Sequence, residues 1–487
     1  MEDATRKVID CFERINRIPR CSKHEAQISR WLQAWAAERK FPVQQDDAGN
    51  LVIRVPASPG WEAAPIVILQ GHMDMVCEKN PASEHDFSKD PIRMRIDGDW
   101  LGAVETTLGA DNGIAIALAL ALVDDPAVRH PPLELYFTVD EETGLTGVLK
   151  MDPALLTGRI LLNLDSEDEG VFVVGCAGGR GTTLKRPLSL QPLPRGGERL
   201  RIAATGMRGG HSGVDIAKHR ANANKVMARL LGAGLSAATL NLLELKGGTG
   251  RNVIPRACEA LVVCAPGGVA AVRAAVNDLA DVISSEYKAT EPGLAISIAA
   301  EGTVPDGDHA VSEADTAAVI DLLMALPSGP VEMDPDFPLL VRTSVNLSMV
   351  SVASASLEVV CSERSSVTSR LDALCCSVEA VGRLAGARAE TGEGYPSWPM
   401  DPDSALLERV RTCYRELFGE APDVRVMHAG LECGVIGERC PGMDMISLGP
   451  TVENPHSPSE RLHLPSVEKV WRLLAALLGA FEPAAGE

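Results

Sequence analysis

The sequence has no excess of basic residues, no apolar run long enough to cross a membrane, and no Cys-x-x-Cys pair. Its 46 Lys and Arg residues are outnumbered by 66 Asp and Glu residues, and the net charge of −20 argues against a nucleic-acid partner. The apolar run at 114–123 is about half as long as a bilayer span, which argues against a membrane protein. Without Cys-x-x-Cys pairs, the twelve cysteines are not arranged for a zinc ribbon, and we expect reduced, mostly buried thiols. The first residues are acidic and polar, unlike a secretion signal, so we expect a cytoplasmic protein.

Several apolar strands are each followed by acidic residues or histidine. The stretch at 66–69 leads into His72 and Asp74, the one at 132–139 into Asp140-Glu141-Glu142, and the one at 160–164 into Asp165. Alternate residues of a strand face the same side, so His72 and Asp74 can face one site, although a solvated surface loop also fits this spacing. Ligands collect at the strand ends of α/β sheets, and an Asp-Glu-Glu run there is costly unless cations compensate its repulsion.

Asp111 precedes an Ala- and Leu-rich helix at 114–123, where a helix N-cap is the alternative role for this residue. Ser22 and Glu25 have the spacing of a capping box, which predicts the start of the second helix of the chain.

Changes in composition predict two domains. We expect an α/β fold with a discontinuous catalytic domain at 1–179 and 396–487, built on a mixed, mainly parallel sheet flanked by helices. A lid at 180–395 interrupts this domain. Within the lid, the order helix, strand, strand, helix, strand occurs twice, which predicts a duplicated α+β module.

The polar motifs also resemble a known family. In this order, the chain resembles the di-zinc peptidases that include carboxypeptidase G, aminoacylase and carnosinase: Gly71-His72-Met73-Asp74, Gly109-Ala110-Asp111-Asn112-Gly113, Asp140-Glu141-Glu142-Thr143-Gly144, Asp165 and Gly209-Gly210-His211-Ser212-Gly213. The doubled lid and three further stretches resemble the aminoacyl-histidine (Xaa-His) dipeptidases of that clan: His428-Ala429-Gly430-Leu431-Glu432-Cys433-Gly434, Arg364-Ser365-Ser366 and Ser369-Arg370.

The resemblance implies two metal ions, zinc or else cobalt or manganese, with Asp111 as the shared carboxylate. His72 and Asp165 would complete the first site, and Glu142 and His456 the second. Asp74 would orient His72, and Glu141 would be the general base for a water that bridges the ions. This division between Glu141 and Glu142 comes from the family, since the residues alone indicate only that neighbours face opposite ways.

For the lid, the resemblance implies that His211 donates a hydrogen bond to the developing oxyanion, often across a homodimer. A role in stabilising its own turn is the alternative for His211. Asn252 would contact the substrate and Arg364 would bind its C-terminal carboxylate, a role that Arg370 could also fill. His428 and Glu432 have no assigned chemical step, and we hypothesise that Glu432 lies near the metals and contacts the amino end of the substrate.

The implied activity is hydrolysis of Xaa-His dipeptides, including β-alanyl-His. The alternatives are a deacylase, a dipeptidase of broader specificity, or a metal-binding protein without catalysis. The last is disfavoured because Glu141 accompanies all five implied ligands.

Overall fold

The computed structural model describes residues 3–193, 196–305, 307–335, 338–353 and 355–482. Contacts divide the chain into two units. The first unit consists of the residues up to Cys176, Trp398–Val426 and the residues from Leu431 onward. The second unit consists of Ala177–Ser397 and Met427–Gly430. The sequence did not predict that the short segment Met427–Gly430 would join the second unit.

The elements follow in chain order. The first part of the chain contains α1 (Asp3–Asn16), α2 (Ala26–Glu38), β1 (Val43–Gln45), β2 (Leu51–Val55), β3 (Val67–His72), β4 (Met94–Asp97), β5 (Trp100–Ala103), α3 (Ala110–Asp124), β6 (Leu133–Thr138), α4 (Thr146–Leu149), β7 (Ile160–Asn163) and β8 (Val171–Cys176). The middle part contains β9 (Gly178–Pro187), β10 (Leu190–Pro192), β11 (Glu198–Thr205), β12 (Gly210–His211), α5 (Ala223–Ala237), β13 (Leu240–Gly247), β14 (Val253–Ile254), β15 (Cys258–Cys264), α6 (Val269–Glu286), β16 (Ala295–Thr303), β17 (His309–Val311), α7 (Glu313–Ala325), β18 (Gly329–Met333), β19 (Val341–Ala353), β20 (Ser356–Ser365), α8 (Thr368–Leu384) and β21 (Arg388–Thr391). The last part contains α9 (Ala405–Phe418), β22 (Asp423–Met427), α10 (Glu432–Arg439), β23 (Asp444–Ser447), β24 (Val452–Glu453), β25 (Arg461–His463) and α11 (Leu464–Gly479).

The first unit is built on a mixed sheet, whose strand order among the described residues is β1-β2-β6-β3-β7-β23-β8-β22. The central strands β6, β3, β7 and β23 are parallel, whereas β1, β2 and β8 pair antiparallel at the flanks. Helix α3 is buried on nearly all sides and packs against β3, as expected for a helix that is apolar all round. The predicted α/β class is confirmed, with parallel pairing confined to the central strands.

The second unit contains a sheet whose main path is β16-β11-β15-β13-β19-β20-β9-β21 among the described residues. If the strands of each half are numbered along the chain, both halves have the order 4-1-3-2 from the outer edge inward, and they meet where β13 pairs antiparallel with β19. The predicted order helix, strand, strand, helix, strand occurs as α5-β13-β15-α6-β16 and again as α7-β19-β20-α8-β21, apart from short strands between them. This repetition supports an internal duplication.

Each unit has its own apolar core. The core of the first unit packs α1, α3, α9 and α11 against the sheet of that unit. The core of the second unit packs α5, α6, α7 and α8 against the second sheet. Among the described helices, none has the length and apolar character that crossing a membrane would require.

Two sequence-based expectations are wrong in the first unit. Cys21 and Cys77 form a disulfide, with their Cα atoms 5.7 Å apart, so not all cysteines are reduced thiols. They are 56 residues apart in sequence, and only the fold brings them together. Ser22 and Glu25 do not form a capping box, because Glu25 makes no side-chain cap on α2 and Ser22 donates a hydrogen bond to Asp74 instead.

Candidate metal centre

The polar residues that follow the central strands of the first unit lie together. His72 ends β3, Glu141 and Glu142 follow β6, and Asp165 follows β7. In the parallel pairing, His72 lies opposite Thr138 of β6, and Gln70 lies opposite Asn163 of β7. The carboxyl ends of these three strands therefore bring their polar residues to one edge of the sheet.

Two overlapping groups of side chains could each hold a metal ion. Ligand atoms of His72, Asp111 and Asp165 lie within 4.8 Å of one another, and so do those of Asp111, Glu142 and His456. The Asp111 carboxylate has one oxygen in each group: Oδ1 lies 3.0 Å from Nε2 of His72, and Oδ2 lies 3.1 Å from Nε2 of His456. This arrangement suits a carboxylate shared by two cations.

Each group is completed by one further carboxylate. Asp165 Oδ1 lies 3.5 Å from Nε2 of His72 in the first group. Glu142 Oε2 lies 2.9 Å from Nε2 of His456 in the second. Imidazole and carboxylate donors of this kind suit zinc, manganese or cobalt. Glu142 Oε1 is also buried without a hydrogen-bond partner among the described residues, so the donor set fits a pair of divalent cations.

The pKa values reflect a site with an excess of carboxylates. Burial opposes the charged form of His72, but Asp165, Asp111 and Asp74 outweigh this effect and raise its pKa well above the usual value. Hydrogen bonds to Asp111 and Glu142 raise the pKa of His456 to about 11. Both imidazoles thus lie in a strongly negative environment, which favours positive charge in this part of the unit.

Asp74 contacts both His72 and the turn that carries the two glutamates. Its Oδ1 lies 3.2 Å from Nδ1 of His72, so an N–H at Nδ1 leaves the lone pair of Nε2 facing the carboxylates. The backbone N–H groups of Glu141 and Glu142 donate to its two oxygens, at 3.1 Å and 3.3 Å. Asp74 therefore fixes the orientation of His72 and the backbone of Glu141-Glu142 together.

Glu141 is a half-buried residue beside the two groups, and one of its carboxylate oxygens lies within 4.8 Å of ligand atoms of His72 and Glu142. Burial raises its pKa well above the usual value, and the charges of Asp165, Glu142 and Glu432 act in the same direction, whereas His72 lowers it. A carboxylate with a raised proton affinity is suited to accept a proton during catalysis.

In the second unit, Asn252 and Arg364 lie together. Arg364 is 3 % exposed, and its Nη2 donates to Asn252 Oδ1 at 3.3 Å. Its Nη1 donates to the hydroxyl of Tyr395 at 2.5 Å. Arg370 is not part of this contact and instead approaches Glu332 on the surface, with 3.6 Å between Nη2 and Oε1.

His211 ends the short strand β12, and its ring is held by its own turn. Its Nδ1 accepts hydrogen bonds from the backbone N–H groups of Gly213 and Val214, at 3.3 Å and 3.1 Å. Because Nδ1 accepts, the neutral ring carries its proton on Nε2, which makes Nε2 a donor. Sequence reasoning treated a turn-stabilising role and a donor role as alternatives, but one ring can perform both.

His428 belongs to the same unit. Its Nε2 is hydrogen-bonded to the hydroxyl of Ser344 at 2.7 Å. Burial and then the charge of Arg364 lower its pKa to about 3, so the ring is neutral.

Sequence reasoning missed several residues that support the first unit's centre. Both oxygens of Glu460 accept backbone N–H groups at the start of α3, including that of Asp111 at 3.3 Å. The fully buried Arg20 donates to the backbone oxygens of Asp74 and Gly109. Burial, with the nearby Asp111 and Asp165, raises the pKa of Glu167 to about 9. For Glu460, four residues after His456, proximity in sequence was the only available signal.

Comparison with known proteins identifies the family. The sequence model of peptidase family M20/M25/M40 matches residues 68–480. The cytosol non-specific dipeptidase of Escherichia coli is 39 % identical over 469 residues, 96 % of each chain. The crystal structure of aminoacylhistidine dipeptidase from Vibrio alginolyticus superposes with a TM-score of 0.84 at 36 % identity, covering 99 % of this chain and 97 % of that one. Aminopeptidase PepT from Bacillus cereus, at 17 % identity and a TM-score of 0.56 over 98 % and 99 % of the two chains, shares the fold. The chain therefore belongs to peptidase family M20/M25/M40 and is a metallopeptidase.

Proposed function

We propose that the protein hydrolyses dipeptides, preferably Xaa-His including β-alanyl-His, with the help of two divalent cations. Zinc is the proposed metal, and cobalt and manganese are the alternatives. The observation that carries the proposal is the Asp111 carboxylate, which has one oxygen in each of two His-and-carboxylate groups. His72, Asp111 and Asp165 would hold one ion, and Asp111, Glu142 and His456 the other. The names of the Escherichia coli and Vibrio alginolyticus relatives support a dipeptide as substrate.

When bound, the two ions would lower the pKa of a water molecule and polarise the scissile carbonyl. Glu141 would accept the proton of the attacking water on its carboxylate and pass it to the leaving amine. The position of Glu141 supports this role, because its carboxylate lies within 4.8 Å of ligand atoms of His72 and Glu142, where it can receive the proton and hold it between the two transfers. Asp74 would keep His72 and the backbone of Glu141-Glu142 in place throughout.

In the second unit, the Nε2–H of His211 would donate to the oxyanion that develops on the scissile carbonyl. Arg364 would bind the C-terminal carboxylate of the dipeptide, and Asn252 would add a polar contact to the substrate. The planar guanidinium suits this task, and its contacts to Asn252 and Tyr395 hold it in one orientation.

The second candidate is a dipeptidase of broader specificity. It is favoured by the name of the Escherichia coli relative, a non-specific dipeptidase. The same name, which includes the word cytosol, supports a cytoplasmic location for this protein. We further propose a homodimer formed through the second unit, on the resemblance of its sequence to families that dimerise through the lid.

A small substrate panel tests the proposal. We expect the zinc-loaded enzyme to hydrolyse β-alanyl-His and Gly-His faster than Gly-Leu, and an N-acyl amino acid slowest. We expect chelation to abolish all these activities and zinc to restore them. Equal rates for the three dipeptides would favour the broader dipeptidase, whereas a preference for the N-acyl compound would indicate a deacylase and contradict the proposal.

A further inference from the structure

Glu432, the first residue of α10, is a fully buried carboxylate that contacts two of the strands leading to the candidate metal centre. Its Oε2 accepts two hydrogen bonds, from Nε2 of Gln70 at 2.5 Å and from the hydroxyl of Thr138 at 2.7 Å. Its Oε1 has no hydrogen-bond partner within the part of the chain that the structure describes. Because the side chain has no exposed surface, the hypothesis that Glu432 contacts the substrate is not supported.

The residues that contact Glu432 belong to the strands that carry the implied ligands. Gln70 lies two residues before His72 on β3, so the two side chains leave the same face of the strand. Thr138 is the last residue of β6, directly before the segment that leads to Glu141 and Glu142. Gln70 in turn accepts a hydrogen bond from Asn163 of β7, at 2.5 Å, two residues before Asp165. One carboxylate thus connects the ends of three strands.

The charge of Glu432 also acts on the centre. Its interaction with His72 favours the ionised form of Glu432, whereas its interaction with Asp165 disfavours it. Burial is the largest effect, and together these raise the pKa of Glu432 to about 7. A further negative charge near Asp165 and Glu141 is unfavourable in a buried site unless cations compensate it.

We propose that Glu432 is a positioning residue of the metal centre, which holds the ends of β3, β6 and β7 together and strengthens cation binding through its buried negative charge. This inference rests on the proposed function in one respect, since it requires that the centre binds divalent cations. The residue acts on the ions through Gln70, Thr138 and the field of its charge, and it is not itself a ligand. A fold that needed only the hydrogen bonds could use a neutral acceptor at this position.

The substitution Glu432→Gln separates the charge from the hydrogen bonds. Both donors point at Oε2, so a glutamine whose amide oxygen occupies that position accepts both bonds and loses the charge, while its NH2 group takes the place of the unpartnered Oε1. We expect zinc binding, measured on the purified full chain by competition with a chelator, to weaken by roughly 10–100-fold. The metal-free variant should melt at the same temperature as the metal-free parent or higher, because a buried like charge has been removed.

A matched control is available in the second unit. Glu363 is also fully buried, with one oxygen accepting the N–H of Thr182 and Oε1 without a partner among the described residues. Glu363→Gln should leave zinc affinity unchanged. Glu432→Asp, which keeps the charge but shortens the side chain, should bind zinc with an affinity between those of the parent and Glu432→Gln.

The outcomes distinguish this inference from the proposed function. Unchanged zinc affinity in Glu432→Gln would overturn the inference, as would an equal loss in Glu363→Gln. Weaker binding in Glu432→Asp than in Glu432→Gln would also overturn it, because the hydrogen bonds rather than the charge would then decide affinity. A parent chain that binds no zinc or other divalent ion would instead contradict the proposed function.

Discussion

Arg364 is buried in the second unit, and each of its terminal nitrogens has a hydrogen-bond acceptor. Tyr395 and Asn252 therefore fix the plane of the guanidinium before any substrate arrives. A charged group that is held in place loses less conformational freedom when it binds a carboxylate. Tyr395 acts through Arg364, and its contribution should be visible only with substrates that carry the carboxylate.

Replacing Tyr395 with phenylalanine removes the hydroxyl that accepts from Arg364 and keeps the ring. We expect the KM for a dipeptide to rise by roughly 2–10-fold, in line with the ~0.5–1.5 kcal/mol of one hydrogen bond, with kcat little changed. The KM for the matching dipeptide amide, which has no C-terminal carboxylate, should stay the same. An equal rise in KM for both substrates would mean that Arg364 does not bind the carboxylate.

Among the structural elements, β3 and α3 approach closely at Gly71. A Cβ atom at this position would lie 2.4 Å from Oδ1 of Asn112 and 2.8 Å from the Cβ of Ala115. The Asn112 side chain cannot move freely, since it accepts the N–H of His72 at 3.2 Å and donates to the backbone oxygen of Leu164 at 3.0 Å. Gly71 thus allows Asn112 to connect the strand ends that lead to His72 and Asp165.

Gly71→Ala should lower the free energy of unfolding by about 1–3 kcal/mol, the usual cost of overpacking a core. Gly479→Ala is the control, because no atom of the residues that the structure describes lies within 4 Å of a Cβ atom at this position, the end of α11. Urea unfolding of the metal-free proteins measures both. A Gly71→Ala protein as stable as the parent would show that β3 and α3 can separate without cost.

The strands could be predicted from the sequence because their apolar runs and following acidic residues are local features. The ends of β3, β6 and β7 are at or near their predicted positions for that reason. The contacts of Ser22 with Asp74 and of Cys21 with Cys77 join residues more than fifty positions apart, and no local pattern encodes them. For Glu432, the sequence suggested a position near the metals, but its contacts with Gln70 and Thr138 join residues 362 and 294 positions apart and follow from no local pattern.

For the site, the sequence predicted the members of the two ligand groups that share Asp111, because the resemblance supplied distant partners such as His456, but it did not predict that Glu25, Asp74 and Asp140 also lie within 4.8 Å of one another. Residue types and spacing alone suggested a polar site at the strand ends without assigning ligands. Their binding of metal remains a prediction.

On the scale of the whole molecule, the candidate metal centre brings together residues from the parts of the chain before and after the second unit. His456 and Asp111 are 345 positions apart, and the entire second unit lies between them in sequence. The first unit must therefore assemble from both ends before the second group of ligands is complete. Metal binding should report on the folding of the first unit, since ions that bind only the folded state stabilise it.

The metal content of Glu141→Gln and Asp111→Ala, measured beside their turnover of β-alanyl-His, separates the general base from the shared ligand. We expect two ions per chain for Glu141→Gln, with kcat reduced by at least about 100-fold, since general bases contribute roughly 10²–10⁴-fold. For Asp111→Ala we expect the loss of both ions and of activity, because the shared carboxylate serves both groups. Equal metal loss in the two variants, or retained turnover in Glu141→Gln, would contradict the assignment of Glu141 as base and Asp111 as shared ligand.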